Sequence, residues 1–113
     1  MKKQPDDFLP LSQATFYILL SLRETRHGYS IMQDVELVSN GVVKIGPGTL
    51  YGALGKLEKQ GVIKQIRLDE DARRKYYALT EVGKQVLKLE FERMQKLIQN
   101  SRNFICEMES EDQ

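Results

Sequence analysis

Gly46-Pro-Gly-Thr-Leu-Tyr-Gly-Ala-Leu-Gly-Lys-Leu-Glu-Lys-Gln-Gly-Val-Ile63 holds a helix start, a helix stop and a strand start within one short stretch. Pro47 suits the first helical turn, where its fixed φ fits and its missing N–H has no intrahelical partner to lose. Gly61 suits the left-handed residue just past a helix end. Leu50, Leu54 and Leu57 repeat at helical spacing and predict one apolar face. Thr49, Gly52, Lys56 and Lys59 fall on the opposite face, which is small and basic. A helix of this kind can lie close against a phosphate-lined groove.

N-terminal to this stretch the pattern is helical. Phe8-Leu-Pro-Leu11 is an apolar lead-in, and a helix is expected from about Ser12. Phe16, Ile18, Leu19, Leu20 and Leu22 make it apolar around much of its girth, so it needs cover on more than one side. Thr25-Arg-His-Gly28 is read as its end. A second helix is expected from Tyr29 to Val38, stopped by Ser39-Asn-Gly41. Val42–Ile45 is too short for a helix and reads as an edge strand.

C-terminal to it, Val62–Leu68 reads as a strand, Asp69-Glu-Asp71 as a turn and Arg73–Leu79 as the returning strand. Ile66, Leu68, Tyr77 and Leu79 supply the expected inward faces. Three helices followed by a basic two-stranded hairpin is the order of a winged helix-turn-helix. The expected fold is mainly α with a small β-hairpin wing.

Thr80 is placed to cap a long last helix. Leu87, Phe91, Met94, Ile98, Ser101, Ile105 and Met108 are spaced as an unbroken heptad seam, widened by Leu97 and Phe104. From Thr80 to Met108 such a helix is roughly 43 Å long at about 1.5 Å per residue. The rest of the chain is too small to cover it, and the most economical partner is the same helix of a second copy. The expected interface residues are Leu87, Phe91, Met94, Ile98, Ile105 and Met108. The same residues are also compatible with a monomer core. Glu109–Gln113 reads as an acidic, fraying tail. The organisation is thus a DNA-binding domain over 1–79 and a dimerisation helix with tail over 80–113.

The 113 residues make one domain-sized unit, with hydrophobic content of 41% and charged content of 29% that fit a soluble globular protein. No apolar run reaches membrane-spanning length and the first residues lack the apolar core of a signal peptide. The single cysteine, Cys106, rules out an internal disulfide framework and fits a reducing cytoplasm. Net charge is only +1, but residues 44–88 carry ten basic against five acidic side chains, while both flanks are net acidic. A polyanion should therefore meet the middle of the chain.

Enzyme chemistry finds little support. His27 is the only histidine, has no carboxylate at a catalytic spacing, and is read as a cap or packing residue. Cys106 lies in or beside the seam and is read as an interface residue, with a redox switch as the sharper alternative. One His and one Cys do not make a structural zinc site, and Gly48, Gly52 and Gly55 are not followed by the Lys-Ser/Thr pair of a phosphate loop. No cofactor and no metal are expected.

The basic residues form a stronger constellation. Lys56 and Lys59 on the third helix, with Arg73, Arg74 and Lys75 on the hairpin, make two patches on one unit. Singly each is an ordinary solvated side chain; together with the helix order they predict nucleic-acid binding. Thr49 and Tyr51 are donors near the helix start that can reach base edges or phosphates. For Tyr51, partial burial at the helix flank is the competing reading.

His27-Gly-Tyr29, Gly48-Thr-Leu-Tyr51 followed by Leu54 and Leu57, Gly61-Val-Ile63, and Arg74-Lys-Tyr-Tyr77-Ala-Leu-Thr80 with Gly83 resemble the PadR family of bacterial transcriptional regulators. The resemblance covers about residues 11–90, and the length is similar to the short subgroup with a single C-terminal helix. It implies a winged helix-turn-helix dimer with third helices in adjacent major grooves and wings along the backbone. It also implies repression, often relieved by small aromatic or drug-like compounds. Thr49 and Tyr51 are carried over as DNA contacts and Leu50 as core. The chain departs from the family at Gly52, where many relatives have proline, and this glycine is expected to loosen the helix start. It also lacks the tryptophan that drug-sensing members of the short subgroup use as a sandwich.

The expected function is a cytoplasmic, homodimeric repressor that binds a pseudo-palindromic double-stranded operator through Thr49, Tyr51, Gly52, Lys56, Lys59, Arg73, Arg74 and Lys75. A planar apolar effector is placed between the terminal helices, near Phe16, Phe91, Met94 and Leu97. The alternative from another class is a winged-helix module that binds protein rather than specific DNA.

Overall fold

The structure, a computed structural model, describes residues 3–67 and 74–111. Leu68, the acidic turn Asp69–Asp71 and Arg73 lie outside the described residues. A 3-10 turn at Pro5–Phe8 precedes α1 (Gln13–Ser21), β1 (Arg26–His27), α2 (Gly28–Val38), α3 (Pro47–Lys59), β2 (Ile63–Ile66), β3 (Tyr76–Leu79) and α4 (Glu81–Glu111). The three strands form one antiparallel sheet in the order β1-β3-β2. Ile63 faces Leu79 and Ile66 faces Tyr76 across the wing, and Arg26 faces Tyr77 on the other side of β3. This is a winged helix-turn-helix with a long helix appended.

The helix boundaries follow local chemistry. Ser12 Oγ accepts the Thr15 N–H at 3.1 Å and starts α1. Pro47 occupies the first turn of α3, and Gly61, at φ 77°, ends it in the left-handed region. There the Gly61 N–H donates to the Glu58 carbonyl and the Val62 N–H to the Leu57 carbonyl, both at 3.0 Å. Thr80 Oγ1 accepts the Gly83 N–H at 3.1 Å, so Thr80 caps α4 as its position predicts.

Two expectations fail on the same point. The first helix stops at Ser21 rather than running to 25–28, and Val42–Ile45 forms no strand. Arg26–His27 takes that place, pairing with the free side of β3. Residues 42–45 are held instead by Ser39, whose Oγ accepts the Val43 N–H at 3.0 Å after a tight turn through Asn40 (φ 54°) and Gly41 (φ 79°). Val43 and Ile45 then pack against the core from irregular backbone. The predicted acidic tail is also helical as far as Glu111.

The core joins all three leading helices and the wing. Ile18, Leu19, Leu22, Ile31, Val35, Leu50, Leu54, Leu57, Val62, Ile63, Tyr77 and Val86 are buried, and only Val86 comes from α4. Each such aliphatic side chain contributes about 1.5–3 kcal/mol by leaving water. The first turns of α4 dock tightly on the α3–β2 joint. A Cβ on Gly83 would overlap the Val62 carbonyl oxygen, so only glycine allows this approach.

Glu90 marks where α4 leaves the core. Its side chain is 1% exposed, accepts the Leu11 N–H at 2.6 Å, and pairs with Arg93. The segment before α1 is thereby fastened to α4. From Phe91 to Ser110 every residue is exposed or half-buried. The molecule is accordingly long, 63 × 35 × 21 Å.

Candidate nucleic-acid interface

The geometry of α3 sorts its residues into two faces. Leu50, Leu54 and Leu57 are buried against α2 and the sheet, whereas Gly48, Thr49, Tyr51, Gly52, Gly55, Lys56 and Lys59 are exposed. At about 100° per residue the exposed set covers an arc of roughly 160°, with Tyr51 at one edge and Thr49 and Lys56 towards the other. A Cβ built on Gly48, Gly52 or Gly55 would meet nothing within 4 Å. No internal contact requires these three glycines. They keep the outer face of the helix flat, with Lys56 and Lys59 as its only charges.

Gly52 lies within this face rather than loosening the helix start: α3 runs unbroken from Pro47 to Lys59. Arg74 and Lys75, exposed, lead into β3 beside the same face; Arg73 is outside the described residues. Lys64 and Arg67 on the outgoing limb are also exposed. Gln65 Nε2 donates to Glu58 Oε1 at 3.2 Å, tying the wing to α3 so that the two basic surfaces keep a fixed relation.

Tyr51 does not simply project outward. Its ring lies across the start of α2, and a Cβ on Gly28 would come 2.7 Å from Tyr51 Cζ and overlap the hydroxyl. Gly28 is therefore the residue that lets Tyr51 fold back, which explains why the two motifs occur together. Tyr51 remains half exposed, so the flank-burial reading describes part of it and the rest of the side chain is accessible.

The joint behind Tyr51 is held by a charged cluster. Asp34 on α2, 7% exposed, receives a two-pronged bond from Arg23 at 2.8 and 2.9 Å and lies 3.4 Å from Arg26. Arg26 also donates to the Ser21 carbonyl at 2.7 Å and to Ser30 Oγ at 3.0 Å. The Arg23 hydrogen bonds, then the charge of Arg26, hold the Asp34 carboxyl below its ordinary range against the opposing effect of burial. This fixes β1, and with it His27, whose Nδ1 accepts the Ser30 N–H at 3.3 Å. His27 is thus the cap of α2 that its position suggests. Its ring also meets Tyr76 edge-on at 5.8 Å.

An open cleft of ≈ 520 Å³ lies between the start of α2, the flank of α3 and the return limb of the wing. Its walls include His27, Tyr29, Tyr51, Arg74, Lys75 and Tyr77. Burial, and then the charge of Glu58, push the Tyr77 phenol upward, so it stays protonated. Reading the residues in order gives Tyr29 a place at the start of the second helix and in the His27-Gly-Tyr29 motif, but no contact role. The available signal was a large aromatic directly after a helix-starting glycine, left 62% exposed.

The expected interface residues of α4 divide. Leu87 packs on the core and Met94 is half-buried, while Phe91, Leu97, Ile98, Phe104, Ile105 and Met108 are about half or more exposed. Phe16, on α1, is half-buried and stacks edge-on with Tyr17. Cys106 is exposed on the same helix. Among the described residues no group of three His, Cys, Asp or Glu could hold a metal ion, and no helix is long and apolar enough to cross a membrane.

Known proteins share this arrangement. The profile of the Transcriptional regulator PadR-like family matches residues 12–89. An uncharacterized 37.1 kDa protein in a transposon of Streptomyces fradiae is 38% identical over 71 residues, covering 63% of this chain and 19% of that protein. The chain thus spans about a fifth of the length of that relative. A transcriptional regulator from Clostridium thermocellum is 28% identical with a TM-score of 0.66, over 82% of this chain and 92% of that one. A PadR family transcriptional regulator from Eggerthella lenta is also 28% identical, with a TM-score of 0.63, over 81% of this chain and 77% of that one. The chain belongs to the PadR-like family of transcriptional regulators, whose members are regulators and not enzymes.

Proposed function

From that membership we propose that the chain is a sequence-specific DNA-binding repressor that acts as a homodimer. The observation that carries the reading is the outer face of α3, flat at Gly48, Gly52 and Gly55 and basic at Lys56 and Lys59. Thr49 and Tyr51 contact the DNA from this helix, and Arg73, Arg74 and Lys75 hold the flanking backbone. Residues 1–79 act as the reading head and residues 80–113 as the dimerisation helix with its tail. Two copies of α4 join along Leu87, Phe91, Met94, Ile98, Ile105 and Met108, which accounts for the apolar face that one chain leaves uncovered. The two-fold axis makes the operator pseudo-palindromic. A small planar apolar effector enters at the junction of this interface with the head, near Phe16, Phe91, Met94 and Leu97, and relieves repression.

A mobility-shift titration against the DNA upstream of its own coding sequence tests the reading. The expected result is tight binding that a scrambled duplex does not reproduce. Affinity should fall with salt at a slope of about −0.9 per phosphate contact. Replacing Arg73, Arg74 and Lys75 by alanine should weaken binding to every duplex and flatten that slope. Equal affinity for operator and scrambled DNA would sink the proposal and leave a protein-binding module as the reading.

A further inference from the structure

We propose that the cleft between His27, Tyr29, Tyr51, Arg74 and Lys75 seats one phosphodiester of the bound duplex, which makes His27 and Tyr29 DNA contacts. The inference rests on the DNA-binding reading above and extends the contact surface from α3 and the wing to the start of α2.

The chemistry of the walls selects the ligand. Because His27 Nδ1 accepts the Ser30 N–H, the neutral ring carries its proton on Nε2, leaving that nitrogen as a donor. Arg74 and Lys75 are donors only, and Tyr29, Tyr51 and Tyr77 each bring a hydroxyl. Among the described residues no carboxylate lines the cleft. Two cations, an imidazole N–H and phenol hydroxyls around one space fit an oxyanion.

Its position selects the source of that oxyanion. The cleft lies between the flank of the helix expected in the major groove and the limb expected on the backbone, where the strand bordering the groove must pass. It is open on one side, as a chain-linked phosphate requires, and does not enclose a free ion. The walls are also set before binding. Arg23, Arg26 and Asp34 fix the start of α2, and the missing Cβ of Gly28 sets Tyr51. Tyr29 is 62% exposed at the rim, so its ring has little packing role to explain it.

The test combines Tyr29→Phe with DNA in which single phosphates are replaced by neutral methylphosphonates. Tyr29 is exposed, so loss of its hydroxyl leaves the fold intact. Tyr29→Phe should weaken operator binding about a hundredfold, the effect of one hydrogen bond to a charged group lost in each protomer. Scrambled duplex should lose the same factor, because a phosphate contact carries no sequence information. At one phosphate position in each half-site, methylphosphonate should cost the wild type about the same and cost Tyr29→Phe almost nothing further. His27→Asn, which keeps a capping acceptor but is shorter, should behave likewise at that position. Wild-type affinity in Tyr29→Phe, or losses that add at every phosphate, overturns the cleft while leaving DNA binding intact. A wild type with no affinity for any duplex overturns both readings.

Discussion

Leu50, Leu54 and Leu57 repeat at helical spacing on α3 and are 0%, 1% and 7% exposed; Phe91, Ile98 and Ile105 repeat at heptad spacing on α4 and are 52%, 54% and 49% exposed. The two sets are alike as sequence patterns. In the head, α1, α2 and the sheet close over the leucines. Beyond Met94 every residue of α4 as far as Ser110 is exposed. Most helical stability in proteins comes from packing an amphipathic face, so the distal half needs cover that the head does not. A periodic apolar face states that something must bury it, and only the fold tells whether that cover is internal.

The largest expected effect tests this contrast directly. Leu54→Ala should lower the unfolding free energy by about 2–5 kcal/mol, measured by urea denaturation. Ile98→Ala removes a similar side chain, but its cost should shrink as the protein is diluted if its cover is the proposed second copy. An Ile98→Ala cost that stays constant at the lowest measurable concentration would mean that the seam is buried within one chain, and the contrast would collapse.

A smaller effect concerns the boundary between the two regions. Arg93, then the Leu11 N–H, holds the Glu90 carboxyl below its ordinary range despite burial. Its folded pKa is lower than its unfolded one, so its stabilisation is complete above the ordinary carboxylate pKa of about 4.3. It is lost as pH falls below that value through the folded one. Glu90→Gln should cost about 1.5–3 kcal/mol at neutral pH and flatten the acid limb of stability against pH. Asp34, lowered in the same sense, should leave a residual acid slope in that variant. An unchanged acid limb in Glu90→Gln would remove Glu90 as the fastening between head and helix.

The smallest effect has two opposite signs. Gly52→Ala meets no atom within 4 Å and should stabilise the protein by about 0.5–1 kcal/mol through helix propensity. The same methyl stands on the face proposed to meet DNA and should weaken operator binding. Gain in both would show that the flat face of α3 is not an approach surface, and α3 would then differ from α4 only in being covered.

Most of the head could be read before any coordinates, because its signals are local. Ser12, Pro47, Gly61 and Thr80 act within a few residues of themselves, so their caps and stops hold at the expected positions. The exposed basic surface along α3 and the wing was legible for the same reason. His27 was read as a cap but not as a wall of a cleft, and Tyr29 was read as a helix start and motif residue but not as a contact. Their neighbours Tyr51, Arg74 and Lys75 are more than twenty residues away in sequence. The misplaced edge strand has a similar cause: Val42–Ile45 has the composition of a strand, but Arg26–His27 has the position.

By itself the sequence determined the helix order, the basic middle of the chain and the two apolar repeats, since periodicity, charge and capping residues act over one or two turns. The tertiary structure alone decided which pieces meet. It placed Gly28 under Tyr51, Gly83 under the Val62 carbonyl, and the Glu90 carboxylate on the Leu11 N–H from far along the chain. It also made a strand of two residues whose only qualification is a partner on β3. Such contacts depend on long-range closure of the core, and a short sequence window contains no record of it.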